Sequence, residues 1–71
     1  MALSLEINGE RRELEGLAAP STLAGVMEEL NLKSDRVAVE HNGSIVERGR
    51  WGEMPVASGD RLEIVHFVGG G

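Results

Sequence analysis

Gly59-Asp60-Arg61-Leu62-Glu63-Ile64-Val65-His66-Phe67-Val68-Gly69-Gly70-Gly71 closes the chain, and the fold is decided by how this stretch is read. Gly-Asp is a turn signal, and Leu62 to Val68 form the most apolar strand candidate in the sequence. So apolar a run belongs at the centre of a sheet. It then meets three glycines, which bury no side chain and lose much backbone entropy when ordered, so they extend a packed strand only at a cost. They are expected to project as a flexible tail. Three extended residues reach on the order of 10 Å, enough to deliver a terminal carboxylate into a cleft too narrow for side chains.

Working back from that strand, Gly49 to Pro55 is rich in turn formers and contains Trp51, the one Trp of the chain. A lone Trp there reads as a partly buried anchor beneath a loop. Val37-Ala38-Val39 reads as a strand, and Asn42-Gly43 offers a tight turn into Ile45 and Val46. Leu23, Val26, Met27 and Leu30 fall at i, i+3, i+4 and i+7, one face of a short helix. Ser21 or Thr22 suits its N-cap and Asn31 its left-handed terminator. At the start, Leu3, Leu5 and Ile7 alternate with Ser4 and Glu6, the period of a strand buried on one face. Asn8-Gly9 turns the chain into Glu10 to Leu14, whose Arg11, Arg12 and Glu13 suit an exposed edge.

Hairpin, helix, short strands and a long last strand make an α+β arrangement: a β-grasp with a mixed sheet of about five strands and one crossover helix packed on one face. The expected core is Leu3, Leu5, Ile7, Leu23, Val26, Leu30, Val37, Val39, Leu62 and Ile64. The domain is expected to span residues 1–68, with residues 69–71 as the tail.

Composition narrows the function classes. The 71 residues carry 12 Asp plus Glu against 7 Lys plus Arg, a net charge of -5, and no Cys. The acidic balance argues against a phosphate-backbone binder and allows docking onto a basic protein surface. Without Cys there is no disulfide and no thiolate metal site, and His41 and His66, in a loop and a strand, are too few for a metal centre. No segment approaches the roughly 20 apolar residues of a membrane span and the start lacks a signal-peptide pattern, so a cytoplasmic monomer is expected. No catalytic Ser, Cys or metal constellation is present, so the chain is not expected to be an enzyme.

A β-grasp pattern ending in Gly-Gly resembles the ubiquitin-like sulfur carriers and protein modifiers. Val37-Ala38-Val39-Glu40 before Asn42-Gly43, then Ile45-Val46, Arg48 and Trp51, then Gly59 to Val65 and the terminal glycines resemble the ThiS family of thiamine-biosynthesis sulfur carriers in particular. The resemblance implies that an E1-like adenylating enzyme, using ATP and Mg, activates the carboxylate of Gly71, the carrier itself binding no cofactor. Sulfur from a cysteine desulfurase then yields a thiocarboxylate, which donates to thiazole synthase. Gly69 and Gly70 would thread the partner's channel, and Phe67 and Val68 would anchor docking. Three alternatives remain open on the residues alone. They are a molybdopterin synthase small subunit-like carrier, a ubiquitin-like protein modifier, and a non-catalytic β-grasp interaction domain.

Overall fold

The computed structural model describes residues 2–32 and 35–67. The expected tail, residues 69–71, and Val68 lie outside the described residues. Among the described residues, seven strands and one α-helix follow in the order β1 (Leu3–Ile7), β2 (Glu10–Leu14), β3 (Ser21–Thr22), α1 (Leu23–Glu29), β4 (Val37–His41), β5 (Ser44–Val46), a 3-10 helix (Arg48–Glu53), β6 (Pro55–Val56) and β7 (Arg61–His66). Five strands form one sheet in the order β2-β1-β7-β4-β5, while β3 and β6 pair separately. β1 and β7 run parallel, and every other pairing is antiparallel, so the sheet is mixed as expected.

Each Asn-Gly turn follows from its two residues. Asn8 and Gly9 have φ of 52° and 85°, and Asn42 and Gly43 have φ of 50° and 91°. Positive φ at both central positions matches the right-handed twist of the flanking strands, and Asn-Gly tolerates it best. On α1, Thr22 is the N-cap and its hydroxyl accepts a hydrogen bond from the Gly25 N–H at 3.2 Å. Asn31, at φ 65°, ends the helix in the left-handed region.

The helix packs its apolar stripe on one sheet face. Leu3, Leu5, Ile7, Leu23, Val26, Val37, Val39, Leu62 and Ile64 are all buried, with Leu30 half-buried at the margin. Five further residues complete the cluster: Leu14, Met27, Val46, Trp51 and Val56. Trp51 corrects the sequence expectation of partial burial. It is 3% exposed, its indole N–H donates to the Val46 carbonyl at 3.0 Å, and the Arg48 guanidinium lies 4.5 Å from the ring centroid. The 3-10 helix turns the ring inward beneath the edge strand and covers its outer face with a cation. His41 also differs from expectation, since it ends β4 and is not in a loop.

Candidate functional site: the C-terminal strand and its open face

β7 carries the chain toward its glycines, and the structure holds this strand in the middle of the sheet. Its parallel pairing with β1 is brief, so the two turn asparagines supplement the ladder. The Asn8 side-chain amide donates to the Ile64 carbonyl at 3.0 Å, and its oxygen accepts from the Ile64 N–H at 2.7 Å. The Asn42 side-chain oxygen accepts from the Arg61 N–H, and the Asn42 N–H donates to the Arg61 carbonyl, both at 2.8 Å. Each asparagine thus both permits a tight turn and clamps β7. The antiparallel ladder with β4 runs one residue past the strand, with the Phe67 N–H donating to the Arg36 carbonyl at 3.0 Å.

Upstream of β7, Asp60 organises the entry turn. Its carboxylate accepts from the Ala57 N–H at 2.9 Å and contacts His41 Nε2 at 2.7 Å. Partial burial alone raises an aspartate pKa. Here the Ala57 N–H, the His41 and Asn42 side chains and the charge on His41 outweigh it, leaving Asp60 below its ordinary value. At the other end of the strand, His66 Nε2 lies 3.2 Å from an Asp35 carboxylate oxygen, both side chains being well exposed. Both histidines are therefore tied to aspartates at opposite ends of β7. Among the described residues no group of three His, Cys, Asp or Glu is placed to hold a metal ion.

The sheet face opposite α1 is uncovered. Among the described residues, Ile45, Val65 and Phe67 are the large hydrophobic side chains left exposed there or at its margin, at 73%, 58% and 64%. Phe67, one of the two expected docking residues, is thus available at the surface and is not core. Sequence reasoning missed Ile45 and Val65. Their signal was present in the alternation, because Val65 falls out of phase with the buried Leu62 and Ile64, and Ile45 out of phase with Val46. Gly69, Gly70, Gly71 and Val68 lie outside the described residues, so the site is defined by the strand that leads to them. No helix among the described residues is long and apolar enough to cross a membrane.

With this geometry in place, likeness to known proteins adds a second line. The ThiS family model matches residues 5–71. A thiazole synthase of Magnetococcus marinus is 38% identical over 69 residues, which cover 97% of this chain but 20% of that protein. The chain therefore spans about a fifth of that relative's length. Sulfur carrier protein ThiS of Bacillus subtilis is 33% identical over 67 residues, covering 94% of this chain and 98% of that one. The crystal structure of a thiamine biosynthesis protein (ThiS) from Geobacter metallireducens superposes with a TM-score of 0.81 at 30% identity, covering 97% of this chain and all of that one. Its likeness and the sheet order described above agree on a ubiquitin-like β-grasp. Since the family match takes in residues 5–71, terminal glycines included, and the B. subtilis carrier is matched over 98% of its length, the chain belongs to the ThiS family.

Proposed function

We propose that the protein is a sulfur carrier of thiamine biosynthesis, a protein co-substrate that acts as a cytoplasmic monomer and has no active site of its own. The observation that carries this reading is the family match through Gly71 on a fold whose central strand runs into the glycines. A carboxylate is a poor electrophile because its charge repels nucleophiles and its oxygen leaves badly. Adenylation of Gly71 by an activating enzyme with ATP and Mg makes AMP the leaving group. A persulfide sulfur, supplied by a cysteine desulfurase, attacks the acyl carbon and AMP departs. Cleavage of the S–S bond by a thiol then leaves the thiocarboxylate, so one hard transfer is divided into easier steps.

Thiazole synthase is the acceptor in this reading. Its support is the M. marinus relative, in which a segment similar to nearly all of this chain forms part of a thiazole synthase polypeptide. The folded body supplies recognition, with Phe67 and Val68 as anchors, and Gly69 and Gly70 admit the tail to a narrow channel. Intact mass tests the chemistry. After incubation with ATP, Mg, the activating enzyme, a cysteine desulfurase, cysteine and a thiol, the protein should gain about 16 Da for sulfur in place of oxygen, located at Gly71. A mass unchanged under conditions where a known carrier is converted would refute the carrier role.

A further inference from the structure

The chain holds two Asn-Gly pairs, Asn8-Gly9 and Asn42-Gly43, and this dipeptide has chemistry of its own. Glycine has no side chain to shield its nitrogen, so that nitrogen can attack the side-chain carbonyl carbon of the preceding Asn and close a five-membered imide. The two turns are alike in shape, and a Cβ built at either glycine meets nothing within 4 Å, so steric access does not distinguish them. What differs is how each amide is held. Both ends of the Asn8 amide are tied to Ile64 of the central strand, by partly buried hydrogen bonds of 3.0 and 2.7 Å. Turning its carbonyl carbon toward Gly9 breaks both at once. The Asn42 side chain takes one hydrogen bond from the backbone, that of the Arg61 N–H at 2.8 Å, and it is exposed. The other end of that amide serves Asp60, whose carboxylate already accepts from the Ala57 N–H and contacts His41. The hairpins differ in the same sense, since β1 and β2 pair at five positions and β4 and β5 at three. A short edge strand opens locally at lower cost.

We propose that Asn42 is a site of spontaneous deamidation in the folded protein and that the clamp on Ile64 spares Asn8. The Gly43 nitrogen bonds to the Asn42 side-chain carbonyl carbon, the amide C–N bond breaks, and ammonia leaves with the proton taken from the Gly43 N–H. Water then adds to either carbonyl of the imide. Opening on one side leaves aspartate at position 42, and opening on the other leaves isoaspartate, whose main chain runs through the former side chain. Either product removes an amide donor from Asp60 and sets a second carboxylate beside it. Isoaspartate also lengthens the turn between His41 and Ser44 by one carbon, which breaks their register. The disturbance reaches Val46 two residues on, whose carbonyl accepts from the Trp51 indole N–H at 3.0 Å. An exposed turn is thereby coupled to a buried ring.

The test compares the two sites within one protein. The parent is held below its melting temperature in mildly alkaline, ammonia-free buffer, and a second sample is held unfolded in guanidinium chloride at the same pH and temperature. Peptide mapping by mass reads the gain of about 1 Da at each Asn, and an isoaspartate methyltransferase assay reads the isomer. Unfolded, the two sites should react at comparable rates. Folded, Asn42 should react at least about tenfold faster than Asn8, and the Arg61 N–H should exchange with deuterium sooner than the Ile64 N–H. Asn42→Gln, which must close a less favourable six-membered ring, should abolish the reaction at that position and leave Asn8 as slow as before. Equal rates at the two sites in the folded protein, faster reaction at Asn8, or earlier exchange at Ile64 would overturn the proposal. A folded protein that stays intact at both sites while the unfolded one reacts at both would overturn it as well. Trp51 fluorescence reads the coupling. The isoaspartate fraction should emit at longer wavelength than the parent, whereas Asn42→Asp, which keeps the turn length, should emit as the parent does. Parental emission from the isoaspartate fraction would refute the link between turn and ring.

Discussion

On one face of the five-stranded sheet, Leu3, Leu5, Ile7, Val37, Val39, Leu62 and Ile64 are at most 7% exposed, while on the other, along the same strands, Val65 is 58% exposed and carboxylates oppose each other in register. The strands alternate between these environments residue by residue. Leu62 and Ile64 point to α1, and Glu63 and Val65 point away from it. The buried face obeys packing, since deleting a methylene there leaves a void and removes contacts. The open face does not, since its side chains meet solvent and a substitution there removes few contacts.

The contrast can be broken most severely at its buried side. Leu62→Ala, at the centre of the sheet with no exposed surface, should cost about 2–5 kcal/mol by urea or thermal melting. That is a large share of the roughly 5–15 kcal/mol that holds a small domain folded. A variant that melts like the parent would show that the helix-facing side is not the core.

The margin between the faces should respond to acid. Asp60 has its pKa lowered in the fold, so the folded state favours its ionised form. Its contribution is present in full above the unfolded value of about 3.9 and disappears as pH falls through the lower folded value. The stability difference between the parent and Asp60→Asn should therefore shrink on acidification across that window and stay level above it. A difference that grows as pH falls would reverse the sign of the linkage.

The smallest effect belongs to the open face. Ile45→Ser removes a large aliphatic group that is 73% exposed and should change stability by no more than about 0.5 kcal/mol. A loss near that of Leu62→Ala would mean that this face is covered within the domain, and would remove the ground for treating it as a docking surface.

Much of the fold was legible because its signals are local. Alternation in Leu3 to Ile7 and 3.6-residue spacing from Leu23 to Leu30 each declare a buried face, and two Asn-Gly pairs declare hairpins whose observed φ angles agree. What escaped were residues whose burial depends on distant chain. Val46 ends a strand candidate too short to show which face is buried, Val56 stands between Pro55 and Ala57, and Trp51 sits among glycines and charges. They are buried because the 3-10 helix lies against α1, β6 pairs with β3 at the start of that helix and β5 pairs with β4, and no short-range period announces these approaches. The β3–β6 pair, two residues on each side, is likewise too short to carry a strand signal. In the site, Phe67 was identified from its place before the glycines, whereas Ile45 and Glu40 joined it only through strand register.

The sequence by itself determined the order of the two hairpins, the helix and the last strand, the central place of that strand, the turn positions and the family, because these depend on periodicity, on backbone preferences of Asn and Gly, and on residues adjacent in the chain. Tertiary structure alone decided which distant residues share a surface. Register brought Glu40 to Glu63 across 23 positions and set Ile45 beside them, and the side-chain amides of Asn8 and Asn42 reached across to hold Ile64 and Arg61. These contacts follow from strand order, and strand order follows from burying one common face against α1. A one-residue slip would exchange the buried and open sets, so the hydrophobic face fixes the register and the register in turn composes the polar one.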